Sequence, residues 1–228
     1  MTCVGIVGGL GVGATVHYYE KITAACKARG IVPDLVIAHA DVETGQGFVR
    51  AGRLDALADY LASFIDRLGR AGAASVAIPA VTPHIAITQT IQRTRVPLIS
   101  IVDPIGAELR ARKLRRVALF GTTFTVEGSL WGQLQAQSPG VEIVKPQPDE
   151  IALIGKAYQR ILDTQQGNAA DTAGLRKIAA ELQRRDGVEA ILLAGTDLAV
   201  IFDEATAGFP AIDVARLHID AIVERLID

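Results

Sequence analysis

From Val4 onward, short runs of consecutive apolar residues alternate with stretches in which apolar residues recur every three or four positions. The runs read as strands: VGIVG (4–8), LVIAHA (35–40), SVAIP (75–79), PLISIV (97–102), RVALFG (116–121), VEIVK (141–145), EAILLAG (189–195) and PAIDV (210–214). Most lack polar alternation, which predicts strands covered on both faces and therefore parallel strands joined by helical crossovers. In the periodic stretches, Leu54, Leu57, Leu61, Ile65 and Leu68 form one apolar helical stripe. Val16, Tyr19, Ile22 and Cys26 form another, which places Cys26 in the core. Tyr18, Tyr19 and Trp131 read as core or cleft wall.

Two helix starts follow strands directly. In VTPH, Thr82 reads as the N-cap with Pro83 at the first helical position, and Asp103 with Pro104 repeats the pattern in VDPI. Ligands of open α/β sheets sit at such points, because unpaired N–H groups and the helix dipole favour anions. Aligning the strands reveals a weak internal repeat. VGIVGGLGVGAT resembles VALFGTTFT, SVAIPAVTPH resembles AILLAGTDLA, and VPLISIV resembles FPAIDVA. Gly8 and Pro97 are spaced as Gly121 and Pro210 are, and the Gly8–Thr82 and Gly121–Thr196 spacings agree to one residue. Three anchors in step predict two copies of one α/β unit rather than one long sheet. The expected division is residues 1–98 plus 213–228 as an N-terminal half and 99–212 as a C-terminal half.

Composition narrows the function classes. The chain has 228 residues, 50% of them hydrophobic, and its 23 basic and 25 acidic residues nearly cancel. No basic cluster exceeds RKLRR, which argues against nucleic acid as a partner. No apolar run reaches the roughly 18 residues of a membrane span, and the N-terminus lacks a basic region leading into a hydrophobic stretch. With only Cys3 and Cys26 and no CxxC spacing, the expectation is a cytoplasmic protein with neither a disulfide framework nor a metal site.

GIVGGLGVGAT raises the question of what its turn holds. Gly9, Gly11 and Ala14 fit the dinucleotide pattern G-x-G-x-x-G/A, with Asp41 closing the second strand where a ribose-binding acid could lie. Against this, GTTFT at 121–125 occupies the same strand-to-helix position with hydroxyl residues in place of glycines. A pair of small anion cups fits both copies. A third reading is that the glycines serve positive φ and close packing alone.

GIVGGLGVGATVHYYEKI, AGAASVAIPAVTPH, VALFGTTFTVEGSLW, GVEAILLAGTDLAV and FPAIDVARLHIDAIV together resemble the aspartate/glutamate racemase superfamily, the pyridoxal-independent amino-acid racemases. The resemblance runs in matching order from about residue 2 to the C-terminus. It implies an α/β fold of two pseudo-symmetric units, each with a mainly parallel sheet, with the active-site cleft between them. It also implies a homodimer that uses no cofactor and binds a small carboxylate or amino acid.

In that family, two cysteines flank the substrate α-carbon, one removing a proton and the other delivering one to the opposite face. They occupy the second position of a P-C-N-T-A-H-like segment and of G-C-T-E. Here the segments read PAVTPH and AGTD, so those positions carry Ala80 and Gly195, and Val81 replaces the asparagine. Neither replacement can exchange a proton, and inversion needs a base and an acid. Retained positions are Thr15, Thr82, His84, Gly121, Thr122, Thr125, Thr196 and His218, with Asp197 in place of glutamate.

The expected substrate-binding set is Gly11, Thr15, Arg50, Val81, Thr82, Thr122, Thr123, Thr125 and Thr196. His84 and Asp197 are the candidate catalytic groups. His84 titrates near neutrality but could instead orient its turn, and Asp197 could serve as a helix cap. Arg50 and Arg53, in a loop after the second strand, could clamp a distal carboxylate or simply be solvated. Three functions follow: an isomerase of the racemase family with atypical, cysteine-free acid–base groups, a one-sided decarboxylase, lyase or isomerase, and a non-catalytic carboxylate binder. A nucleotide-binding oxidoreductase is the remaining alternative.

Overall fold

The structure, a computed structural model, describes residues 2–128 and 130–227. The side chains of Leu130 and Trp131, and with them the place expected for Trp131, lie outside the described residues. In chain order, β1 (Val4–Gly8), α1 (Val12–Ala28), β2 (Leu35–His39), α2 (Val42–Arg50), α3 (Leu54–Arg70) and β3 (Ser75–Ala77) lead to a 3-10 turn at Thr82–Ala86 and α4 (Ile87–Ile91). Next come α5 (Val102–Ala111), β4 (Arg116–Phe120), α6 (Thr123–Glu127), α7 (Leu130–Gln137), β5 (Glu142–Ile143), α8 (Pro148–Thr164) and α9 (Ala169–Asp186). The chain closes with β6 (Ala190–Leu193), a second 3-10 turn at Thr196–Val200, β7 (Ala211–Asp213) and α10 (Val214–Ile227). It divides into two compact units, residues 1–101 with 216–228 and residues 102–215. Among the described residues, no helix is long and apolar enough to cross a membrane.

The first unit holds a parallel sheet in the order β2-β1-β3. The second holds a parallel sheet in the order β5-β4-β6-β7. Parallel neighbours require helical crossovers, which the alternation of strand and helix supplies. β1 and β6 are buried at every position, as their unbroken apolar runs predict. β2, at a sheet edge, leaves Ile37 partly exposed instead.

PLISIV is shorter than its β-branched residues predict. Only Leu98 bridges to Val76. Pro97 accepts from the Val76 N–H at 2.9 Å, and the Ile99 N–H donates to the Val76 carbonyl at 2.8 Å. By Val102 the chain is already helical, so Asp103 and Pro104 lie within the first turn of α5 rather than at its cap. Proline is tolerated there because first-turn N–H groups have no helical partner.

In α3, Leu57, Leu61, Ile65 and Leu68 are at most 1% exposed, and each buried side chain of this size stabilises by roughly 1.5–3 kcal/mol. α1 is rotated relative to its sequence pattern. Its inward row is Ala14, Tyr18, Ile22 and Cys26, while Val16 and Tyr19 are about half exposed. Both rows share Ile22 and Cys26. The buried row steps by four residues, and Tyr18 at its centre finds a polar partner for its hydroxyl in His218.

The segment GQGFVR is helical rather than a loop. The Asp41 carboxylate accepts from the Thr44 N–H at 2.8 Å and from the Thr44 hydroxyl at 2.6 Å, capping α2. These bonds hold the Asp41 carboxyl below its usual range.

The turn after β1 is closed by Thr15. Its hydroxyl accepts from the Gly9 N–H at 2.9 Å and donates to the Gly11 carbonyl at 2.8 Å. Gly9 has φ +86°, and a Cβ there would stand 2.1 Å from the Ala40 carbonyl oxygen. Gly9→Ala is therefore expected to cost about 2 kcal/mol, seen as a lower urea midpoint. An unchanged midpoint would show that the turn can relax around a side chain.

Candidate active site

Parallel pairing brings the post-strand segments of each sheet to one edge. In the first unit, Gly11 and Thr15 follow β1, while Ala80, Val81, Thr82 and His84 follow its neighbour β3. In the second, Thr122, Thr123 and Thr125 follow β4, while Gly195, Thr196 and Asp197 follow its neighbour β6. Arg50 stands apart on α2, where its guanidinium reaches Gln46 at 3.1 Å and Glu43 at 3.3 Å. Arg53 precedes α3, and its guanidinium lies over the Phe48 ring.

After β3, the 3-10 turn begins at Thr82 itself, so Val81 and not Thr82 is its N-cap, and the His84 N–H donates to the Val81 carbonyl at 3.0 Å. Val81 and Ala80 are buried and Thr82 is half-buried. His84 is 3% exposed, and its Nδ1 lies 2.8 Å from the Ala80 carbonyl oxygen. Because a carbonyl can only accept, Nδ1 is assigned the proton. Burial lowers the His84 pKa to about 4, against the opposing pull of the Ala80 and Val81 carbonyls. At neutral pH the imidazole is uncharged and tied to the turn.

A second buried histidine stands behind it. His218, on α10, places Nε2 3.1 Å from the Ile99 carbonyl oxygen and Nδ1 3.1 Å from the Tyr18 hydroxyl. The same logic protonates Nε2 and makes Tyr18 the donor to Nδ1. Burial, followed by the neighbouring His84, depresses the His218 pKa to about 3.

In the second unit, Thr122 caps α6. Its hydroxyl accepts from the Thr125 N–H at 3.0 Å and lies 3.0 Å from the Thr125 hydroxyl. Thr123 is exposed, with its hydroxyl against Gly155 of α8. After β6, the Leu198 N–H donates to the Gly195 carbonyl at 2.8 Å, which opens the second 3-10 turn. Thr196 and Asp197 are each 2% exposed.

The sequence patterns gave no role to Tyr158. A Cβ built on Gly195 would stand 2.1 Å from Tyr158 Cε2 and 2.8 Å from Cδ2, so the ring fills the space any side chain at 195 would need. The Tyr158 hydroxyl donates to Asp197 Oδ2 at 2.9 Å. Burial, then the Asp197 charge, push the Tyr158 pKa well above its usual value, so it remains a phenol. The available signal was indirect: a glycine where the resemblance expects a cysteine leaves room that something else must fill.

The two thiols present lie elsewhere in the first unit. Cys26 is fully buried on α1, and Cys3 precedes β1 at the opposite end of that strand from the glycine turn. Burial raises both pKa values, with Asp34 adding to the effect at Cys3, so both stay protonated and weakly nucleophilic. Among the described residues, no group of three or more His, Cys, Asp or Glu is placed to hold a metal ion.

The fold matches solved structures over its whole length. A Yersinia pestis protein assigned to the Asp/Glu racemases superposes with a TM-score of 0.86 at 19% identity, covering 100% of both chains. An aspartate racemase homologue from Pyrococcus horikoshii OT3 gives 0.80 at 24% identity, again over 100% of both. Glutamate racemase from Francisella tularensis, solved with D-glutamate, gives 0.68 at 13% identity over 99% of this chain and 81% of its own. The sequence model of the Asp/Glu/Hydantoin racemases matches residues 7–222, most of the chain, and the protein therefore belongs to that family.

Proposed function

We propose that the protein binds a small amino acid or dicarboxylate at its post-strand segments and acts on it as an enzyme of this family without two-thiol racemisation. The observation that carries this reading is the Tyr158 ring in the space of a side chain at 195. With Ala80 at the other thiol position, inversion has neither of its usual proton-transfer groups. Chemistry confined to one face of the substrate carbon, such as decarboxylation, elimination or isomerisation, needs only one. The hydroxyls of Thr82, Thr122, Thr125 and Thr196 suit a carboxylate ligand, as does a relative solved with D-glutamate. Family membership favours an isomerase or a close chemical neighbour.

The test combines binding with stereochemistry. D- and L-aspartate and D- and L-glutamate are added separately, and melting temperature and enantiomer ratio are followed by thermal denaturation and chiral chromatography. At least one compound is expected to raise the melting temperature in a saturable way, with no interconversion of enantiomers. Interconversion, or no shift with any of the four, would overturn the reading.

A further inference from the structure

The Tyr158–Asp197 pair is more than filler for a missing sulfur. A side chain at 195, the position to which the resemblance assigns a thiol, would begin 2.9 Å from Tyr158 Cζ, the ring carbon that carries the phenol oxygen. That oxygen is bonded to Asp197 at 2.9 Å, and the two residues are 6% and 2% exposed. Oriented buried hydrogen bonds of this kind fix a carboxylate's rotamer. Tyr158 remains a phenol and can donate but not abstract, which leaves the carboxylate as the proton acceptor of the pair.

Resting on the ligand reading above, we propose that Tyr158 is a positioning residue that aims Asp197 as the single proton-transfer group of a one-faced reaction. One Asp197 oxygen takes the proton α to the substrate carboxylate, and the C–H electron pair delocalises into that carboxylate as an enediolate. Tyr158 keeps its own proton throughout, donating to the carboxylate and then to the resulting carboxylic acid. Returning the proton from Asp197 to the same face restores the carboxylate and the original configuration.

The test uses the full chain with each enantiomer of aspartate and glutamate in deuterated water, following the α-proton by NMR and configuration by chiral chromatography. Deuterium is expected to replace the α-hydrogen of at least one bound compound with retention. Asp197→Asn keeps an acceptor oxygen for Tyr158, and should slow exchange by about 100-fold or more with binding intact. Tyr158→Phe should slow exchange about 10-fold or more while the dissociation constant stays put, a split that simple loss of packing would not give. Binding without exchange, or full exchange in Asp197→Asn, would overturn the proposal while leaving the ligand reading standing, whereas exchange with inversion would overturn both. No ligand-induced rise in melting temperature would overturn the ligand reading itself, and this proposal with it.

Discussion

Gly195→Cys is expected to lower the free energy of unfolding by about 3 kcal/mol, and to produce no gain in racemisation. A cysteine cannot simply be placed at this position, because its Cβ would lie 2.1 Å from an aromatic carbon of Tyr158. The clash is costly because that ring does not swing freely. Tyr158 belongs to the core cluster with Ile154, Ile161, Leu193 and Leu198, and its hydroxyl is anchored on Asp197. Moving it would strand a buried carboxylate's donor as well as disturb close packing. Tyr158→Ala alone opens a cavity, at a cost of about 3–5 kcal/mol by analogy with other large aromatic truncations. In the double variant Gly195→Cys/Tyr158→Ala, the new side chain enters the vacated space, so the two losses should add to clearly less than their sum. Urea titrations of the four proteins measure this coupling. Strict additivity would mean that position 195 and the ring do not compete for one space.

That competition also marks the boundary of what could be read from the chain alone. β1 and the stripe of α3 were legible because a short apolar run ended by glycines reads as a buried strand, and a sustained helical period as an amphipathic helix. The turn positions were legible too, since strand ends fix them: Thr82 and Thr196 open the two 3-10 turns, and Ala80 and Gly195 lie just before them. The inward face of α1 was not. Tyr18 and Tyr19 are adjacent and alike, and the choice falls to His218, 200 residues away along the chain, which gives the Tyr18 hydroxyl a buried acceptor. PLISIV was read too long because β propensity says nothing of the single bridge that tertiary packing allows it. Arg50 was placed in a loop, but the Asp41 cap makes the segment helical. Tyr158 escaped for a further reason. Within α8 it reads as one more core residue, and its partner Asp197 is 39 positions on, so only the fold reveals the pair.

Acid is expected to destabilise the first unit through His84 and His218, well above the pH at which carboxylates protonate. Both imidazoles are buried and uncharged, with pKa values of about 4 and about 3 against about 6.5 in an unfolded chain. Between those values the unfolded state binds more protons, so stability falls as pH falls. Their contribution is complete above pH ~6.5 and is lost progressively as pH drops toward about 4 for His84 and about 3 for His218. From pH 7 to pH 5 each histidine should remove about 2 kcal/mol. The two act in one direction and worsen each other, since charging either disfavours charging its neighbour in the folded state. Urea unfolding across this range reads the slope directly. His218→Gln replaces the titrating ring with an amide that can still donate to the Ile99 carbonyl and accept from Tyr18. It should be less stable than the parent at pH 7 yet lose less on acidification, because one proton-linked group is gone while His84 remains. If parent and variant fall with the same slope, the acid sensitivity comes from other groups and the buried histidine pair is not its source.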